Sequence, residues 1–405
     1  MTTTPQHGDS EPLILVLGTA EWNAQIATNQ HYVVRELSRM FDVQFVESLG
    51  LRRPKLDAKD LGRMAGRLRR SVGASEPAES STRPVPARAK VISPIVVPVH
   101  RRSTRLTNRI LLHRAVAEWR ESTRPKILWA FTPVTYDLEQ YADATIYHCV
   151  DILREFPGID EVAVDAGERN LAERARFAIA TSHAVADHLR GMGFPLVHTL
   201  PNVADVDVFA SASRPSAQRR PAALFAGNLT PHKLDFELLR ELTIALRGRG
   251  DMLLAGPVAA GGGGFDGELA ELQRLGAQHL GVLTLDRLAQ VTGEVSVGLI
   301  PYARNSYTTG VSPLKCYEYL AGGIHVVSTP IPEVVRAAAN THFIEVADST
   351  PGFVRSVLAT IAPPSDAAIH ARGAYAQDFG WAGRGRLLRQ FAAEVLGRPA
   401  ESAGV

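Results

Sequence analysis

Residues 308–323 read Thr308-Thr309-Gly310-Val311-Ser312-Pro313-Leu314-Lys315-Cys316-Tyr317-Glu318-Tyr319-Leu320-Ala321-Gly322-Gly323, and the apolar run Ile324 to Ser328 follows. Small residues open the stretch, a helical segment carries Lys315 and Glu318 one turn apart, the glycine pair stops it, and a β-rich run closes it. The backbone N–H groups of Gly310, Val311, Ser312 and Leu314 are expected to point out of the helix N-terminus, where the dipole favours an anion. Pro313 fits a first-turn position there, and Lys315 adds a full positive charge. An ionised Glu318 only accepts hydrogen bonds, and its two oxygens suit neighbouring hydroxyls such as those of a ribose. Phosphate at the loop and ribose at the helix describe a nucleotide, although the same spacing also fits an ordinary ion pair on a surface helix.

Upstream, the pattern alternates regularly. Strands are predicted at Ala222 to Gly227, Asp251 to Gly256, His279 to Leu283 and Val295 to Ile300, with helices at Leu234 to Arg247, Gly267 to Leu275 and Leu285 to Gln290 between them. Alternation of this kind means a parallel sheet covered on both faces. Gly227-Asn228 and Lys233 lie in the turn after the first of these strands, and Tyr302, Arg304 and Tyr307 in the loop after the last. Gly262, Gly264 and Gly267 spell G-x-G-x-x-G, a weak signal inside a run of four glycines that Pro257 separates from its strand.

The first half of the chain repeats the alternation. Leu13 to Leu17 is a continuous apolar run suited to a buried parallel strand. Further strands are expected at Val43 to Glu47, Ile127 to Phe131, Thr145 to Val150, Phe177 to Thr181 and Val197 to Leu200. Helices are expected at Ile26 to Met40, Asn108 to Glu121, Val162 to Arg176 and, behind an N-cap at Ser182, to Arg190. Domains are therefore expected at 11–204 and 221–380, joined by the polar linker SASRPSAQRRP, with a last helix and tail at 381–405. Residues 52–107 read as a basic insertion: from Arg52 to Arg124 basic side chains outnumber acidic ones about three to one. Leu61, Met64, Ala65 and Leu68 recur at helical spacing among Arg63, Arg67, Arg69 and Arg70, which suits an anionic lipid surface or a solvated helix.

At 405 residues and net charge +2, composition gives no global nucleic-acid signal. The two cysteines, Cys149 and Cys316, have no metal-ligand spacing, and a reducing cytoplasm is the simplest home. The N-terminal residues lack a signal-peptide pattern, and no apolar run approaches a membrane span.

The segment Ser312 to Val334, SPLKCYEYLAGGIHVVSTPIPEV, resembles the donor-nucleotide segment of GT-B glycosyltransferases of the group-1, family-4-like class. FAIATSHAVADHL and LPNVADVDVF are similar to further segments of that class, and Trp22 with Asn29-Gln30-His31 matches its W…NQH pattern. The resemblance spans most of the chain outside 52–107. It implies two doubly wound Rossmann-like α/β domains facing across a cleft, with the last helix returning to the first. It implies a metal-independent, retaining hexosyltransferase that takes a nucleotide-sugar as co-substrate, needs no further cofactor and serves a glycan or lipid-linked acceptor. Such an enzyme would be cytoplasmic, and peripheral on the inner face of the plasma membrane. Donor contacts carry over to Gly227, Asn228, Lys233, Gly310, Val311, Ser312, Leu314, Lys315 and Glu318. Acceptor-side contacts carry over to Trp22, Asn29, His31 and His148, and catalytic roles to Asp151, Lys233 and Lys315. Three positions depart from the class: Val150 stands where it has His, Asn228 where it has Arg, and Gly310 where it has a second Glu. These departures keep two rivals open, an epimerase of the same fold and a silent nucleotide-binding or scaffold subunit.

Overall fold

The computed structural model describes residues 11–50, 83–97, 102–155, 159–258 and 264–397. The chain forms two compact units. One holds Met1–Thr181, Val185–Leu200 and Gly385–Val405, the other Ser182–Ala184 and Pro201–Arg384. Arg63 to Arg70 and Gly262, on which two of the expectations above rest, lie outside the described residues.

In the first unit, seven strands form one parallel sheet: β1 (Leu13–Leu17), β2 (Asp42–Val46), β3 (Ala89–Ile92), β4 (Lys126–Ala130), β5 (Ala144–Cys149), β6 (Phe177–Ala180) and β7 (Val197–Thr199). Their order is β3-β2-β1-β4-β5-β6-β7, so the winding reverses between β1 and β4. The uninterrupted apolar character of β1 and β6 follows from burial on both faces by crossover helices. Strand β3 corrects the reading of 52–107 as insertion alone, since it pairs with β2 from Val43 opposite Ala89 to Val46 opposite Ile92. Its flank also uses two cations of the basic stretch: Arg88 and Arg124 both pair with Asp42, at 2.9 and 2.8 Å. The helix expected from Asn108 begins at Arg102 and breaks at Val116. Asn108 is not its start; it is buried, with its side-chain amide bonded to the Val97 backbone and the Tyr136 hydroxyl. From the last helix, Trp381–Glu394, Arg389 pairs with Glu36 at 3.0 Å and Phe391 packs edge-on against Phe177.

In the second unit, β8 (Ala222–Ala226), β9 (Asp251–Ala255), β10 (Gln278–His279), β11 (Val297–Ile300), β12 (His325–Ser328) and β13 (Ile344–Val346) form a parallel sheet in the order β10-β9-β8-β11-β12-β13. The five-residue strand expected at 279–283 shrinks to an edge strand of two. A short helix, Val206–Ser211, precedes the sheet where only a sequence motif was read.

The winding of this sheet reverses between β8 and β11, and those two strands pair only through Ala223–Val297 and Leu224–Gly298. Beyond that point they diverge, leaving the Ala226 N–H without a strand acceptor. The Tyr319 hydroxyl takes it at 2.8 Å. For the ring to lie there, β11 must carry a glycine, because a Cβ on Gly298 would meet Tyr319 Cδ2 at 2.3 Å. Gly256, at φ +136°, is needed for a similar reason, since any Cβ there would meet the Gly227 carbonyl oxygen at 2.0 Å.

Tyr319→Phe orphans a buried amide and is expected to cost about 1–3 kcal/mol of stability. Gly298→Ala, which overpacks the same contact, should cost about as much. Urea unfolding of the two variants checks both values; wild-type midpoints would show that Tyr319 does not hold the helix to the sheet.

Candidate functional site

Ligands of open α/β sheets sit outside the carboxyl ends of the strands at the point where the winding reverses. In the second unit that point lies between the loops after β8 and β11, and the two loops are zipped together. Thr230, fully buried, accepts the amides of Lys233 and Leu234 at 3.1 and 3.0 Å. Leu234 bridges Tyr302, the Ala303 N–H donates to the Lys233 carbonyl at 2.9 Å, and Asp235 N–H donates to the Pro301 carbonyl at 3.0 Å. Asp235 then caps the helix Phe236–Ala245. The result is that the Lys233 ammonium stands 4.8 Å from the centroid of the Tyr302 ring.

Tyr302 is itself fixed from β12. Its N–H donates to the Thr329 hydroxyl at 3.1 Å, and that hydroxyl donates to the Tyr302 carbonyl at 2.8 Å. Asn305 ties the same loop to the other, its side-chain N–H donating to the His232 carbonyl at 2.8 Å while its oxygen caps the one-turn helix Ser306–Thr309. From sequence Tyr302 is only one of two aromatics that its loop brings to the expected cleft, and Thr329 carries no signal, because the bonds joining them span 27 positions and leave no local pattern.

The one-turn helix changes the reading of the opening motif. The N–H groups of Gly310 and Val311 are not free; they donate to the carbonyls of Tyr307 and Thr308. The motif helix runs over the seven residues Lys315–Ala321 with Leu314 as its cap, so Pro313 stands before the cap and not in the first turn. Ser312 is held by Asn202: its hydroxyl accepts the Asn202 N–H and its carbonyl the Asn202 side-chain N–H, both at 3.0 Å. Asn202 was read only as an edge residue, and its role emerges from a contact 110 positions away.

Lys315 and Glu318, the expected phosphate and ribose contacts, form an ion pair with each other across one helical turn. Glu318 is only 5% exposed. Burial raises its carboxyl above the ordinary carboxylate range, Lys315 opposes that rise, and Asp205 adds to it. Among the described residues Lys233, by contrast, has no carboxylate within 4.0 Å. Gly227 and Asn228 occupy the start of the same zipped loop, half-buried beyond the end of β8.

The acceptor-side residues lie in the first unit. Gly18-Thr19, after β1, is stitched to the helix Asn29–Leu37 by Gln30, whose side chain bonds both the amide and the hydroxyl of Thr19. Asn29 opens that helix. Trp22 and His31 are buried at 3% and 4% exposure and pack with Phe45, their rings 5.4 Å apart. His31 Nδ1 accepts the Thr28 N–H and Nε2 donates to the Glu21 carbonyl, so the ring holds the loop from inside. His148 is buried on β5, with Nδ1 accepting from Trp129 at 3.3 Å and the ring stacked on Phe131. Asp151 is half-buried beyond the end of β5, where its carbonyl accepts the Cys149 thiol at 3.2 Å. Among the described residues, no group of three or more His, Cys, Asp or Glu side chains is placed to hold a metal ion, and no helix is long and apolar enough to cross a membrane.

Two doubly wound parallel-sheet units in one chain define the class: this is the GT-B fold of glycosyltransferases. The chain is similar to sucrose-phosphate synthase from Thermosynechococcus elongatus, with a TM-score of 0.69 and 15% identity over 96% of this chain and all of that one (100%). It is similar to Anabaena HepE in complex with UDP and glucose, with a TM-score of 0.62 and 13% identity over 96% and 100% of the two chains. A third likeness is to WaaG, a glycosyltransferase involved in lipopolysaccharide biosynthesis, at 0.62 and 11% over 94% and 100%. In sequence, 215 residues are 27% identical to a Bacillus subtilis (strain 168) protein named "Putative teichuronic acid biosynthesis glycosyltransferase TuaH". That match takes in 51% of this chain and 52% of the other, so the chain spans about half the length of the curated relative it matches. No protein-family profile matches.

Burial, then the Arg83 charge, depress the His31 pKa to about 4 from its ordinary 6.5. A depressed folded-state value means stability that is present above pH 6.5 and lost as pH falls through about 4. A pH titration followed by NMR should show no His31 transition between pH 5 and 8; a midpoint near 6.5 would place the ring in solvent, open to an acceptor.

Proposed function

We propose that the protein transfers a sugar from a nucleotide-sugar to a glycan or lipid-linked acceptor, with the nucleoside diphosphate held at the reversal point of the second sheet. The observation that carries this is the Lys233 ammonium, uncompensated by any described carboxylate and fixed where α/β sheets bind phosphates. Lys315 supplies a second cation once its carboxylate partner turns to the ribose hydroxyls, and the amides of Ser312 and Leu314 are assigned to the phosphates in the same reading. As the glycosidic bond to the diphosphate breaks, negative charge grows on the leaving phosphate, and the two ammonium groups stabilise it in place of a metal ion. Retention of configuration belongs to the same reading. Support comes from the GT-B fold, from the UDP and glucose in the HepE complex and from the envelope-polymer name of the partial relative. Asp151, at the carboxyl end of its own sheet, is assigned to the acceptor.

Charges 4 Å apart interact by about 4 kcal/mol at an intermediate dielectric. Lys233→Ala should therefore lower turnover by about 10² to 10³. Lys315→Ala should lower it too, and also cost about 3 kcal/mol of stability by leaving Glu318 buried and unpaired. Glu318→Ala should chiefly weaken nucleotide binding. Turnover of a nucleotide-sugar panel, with and without acceptor and with a chelator present, checks the set. Donor turnover without any acceptor would favour an epimerase, and none under any condition a silent subunit.

A cytoplasmic site at the inner membrane face forms part of this proposal. Leu106 and Ile110, one turn apart on the helix Arg102–Ala115, are 66% and 50% exposed among Arg105, Arg109 and Arg114. Asn108 holds the segment bearing exposed Ile95 and Val97 against that helix. Apolar side chains ringed by arginine suit an anionic bilayer. Leu106→Asp/Ile110→Asp should lower co-sedimentation with phosphatidylglycerol vesicles at least tenfold, and binding should weaken with salt; unchanged binding would remove the membrane from the proposal.

A further inference from the structure

We infer that Tyr302 is a positioning residue for the phosphate-binding cation, holding the Lys233 ammonium over its ring so that the charge is aimed and left uncompensated. The inference rests on the nucleotide reading above and adds to it a residue that touches neither phosphate nor sugar.

The two lysines of the site are held in different ways. Lys315 is neutralised by Glu318, so an arriving anion must compete with a carboxylate. Lys233 lies 4.8 Å from the Tyr302 centroid, and an aromatic face attracts a cation through its quadrupole without cancelling its charge. Everything around the ring serves to keep it still. Tyr302 is 3% exposed, its backbone is bonded on both sides to the Thr329 hydroxyl, and Phe225 meets its ring edge-on at 6.5 Å. The lysine backbone is fixed to the same loop through the Leu234–Tyr302 bridge and the Ala303-to-Lys233 hydrogen bond. A four-carbon side chain in solvent samples many rotamers, and ordering it on binding costs affinity. A ring that already orders it removes part of that cost, and the anion meets a cation in place.

Replacing Tyr302 by phenylalanine removes the hydroxyl, and mono-, di- and trifluorophenylalanine at the same position then weaken the ring quadrupole stepwise, with phenylalanine as the reference and little change of shape. Thermal unfolding verifies that each variant folds. Inorganic pyrophosphate is the probe, read by calorimetry, because the inference concerns phosphate and no base. Affinity is expected to fall steadily along the fluorinated series, by about two- to fivefold at its end, and the trend should vanish when Lys233 is also alanine. A flat series, or the same slope in the Lys233→Ala background, overturns the positioning role while leaving a nucleotide site that depends on Lys233. Pyrophosphate affinity unaffected by Lys233→Ala alone overturns both.

Discussion

Strands β8 and β11 part after two paired positions, and the second unit is arranged around the gap. A buried amide left without an acceptor costs as much as a lost hydrogen bond. Tyr319 supplies that acceptor from the motif helix, and its ring fits only because β11 has glycine beneath it. One hydroxyl thus sets the position of the helix on which Lys315 and Glu318 ride. Two arginines, one buried and one half-buried, fix its other end: Arg219 donates to the Gly322 carbonyl at 2.8 Å and Arg372 to that of Gly323 at 3.1 Å. Cations at the carboxyl end of a helix are where its dipole favours them.

The gap also decides what chemistry the edge can perform. Because the strands diverge, the loops after them meet beyond the sheet and bond to each other, which brings Lys233 to Tyr302. A cation over a ring and a cation paired to a carboxylate are two ways of keeping positive charge in a half-buried place. The first stays available to an anion. The second is released only when the carboxylate finds another donor, and sugar hydroxyls are such donors. In the proposed function, a nucleoside diphosphate would offer phosphate to one lysine and hydroxyls to the glutamate that restrains the other.

Much of this was legible in the sequence, for a physical reason. Strands buried on both faces by crossover helices read as unbroken apolar runs, as in Leu13–Leu17 and Ala222–Ala226, and their alternation with helices left little choice but parallel sheets. Strand β3 escaped because it is a half-buried edge of four residues carrying Lys90, between Pro86 and Pro94. Pro313 and the amides of Gly310 and Val311 were misjudged because the motif helix starts at Lys315 and a separate turn of helix precedes it. Sequence resemblance singled out Lys233, Lys315 and Glu318, but the side chains that fix the surrounding loops and helix, Tyr302, Thr329, Tyr319 and Asn202, act over separations of 27 to 110 residues. Trp22 and His31 show the converse: the pattern assigned both to an acceptor, and packing shows that both side chains face inward.

In the proposed function, phosphate charge, gathered at the point where the second sheet reverses, carries recognition. Calorimetric titration of the full chain with the common nucleoside diphosphates and the matching monophosphates tests it most directly. At least one diphosphate should bind ten times more tightly than its monophosphate, with the advantage shrinking as salt is added. Equal affinity for the two, or binding by none of them, would contradict it.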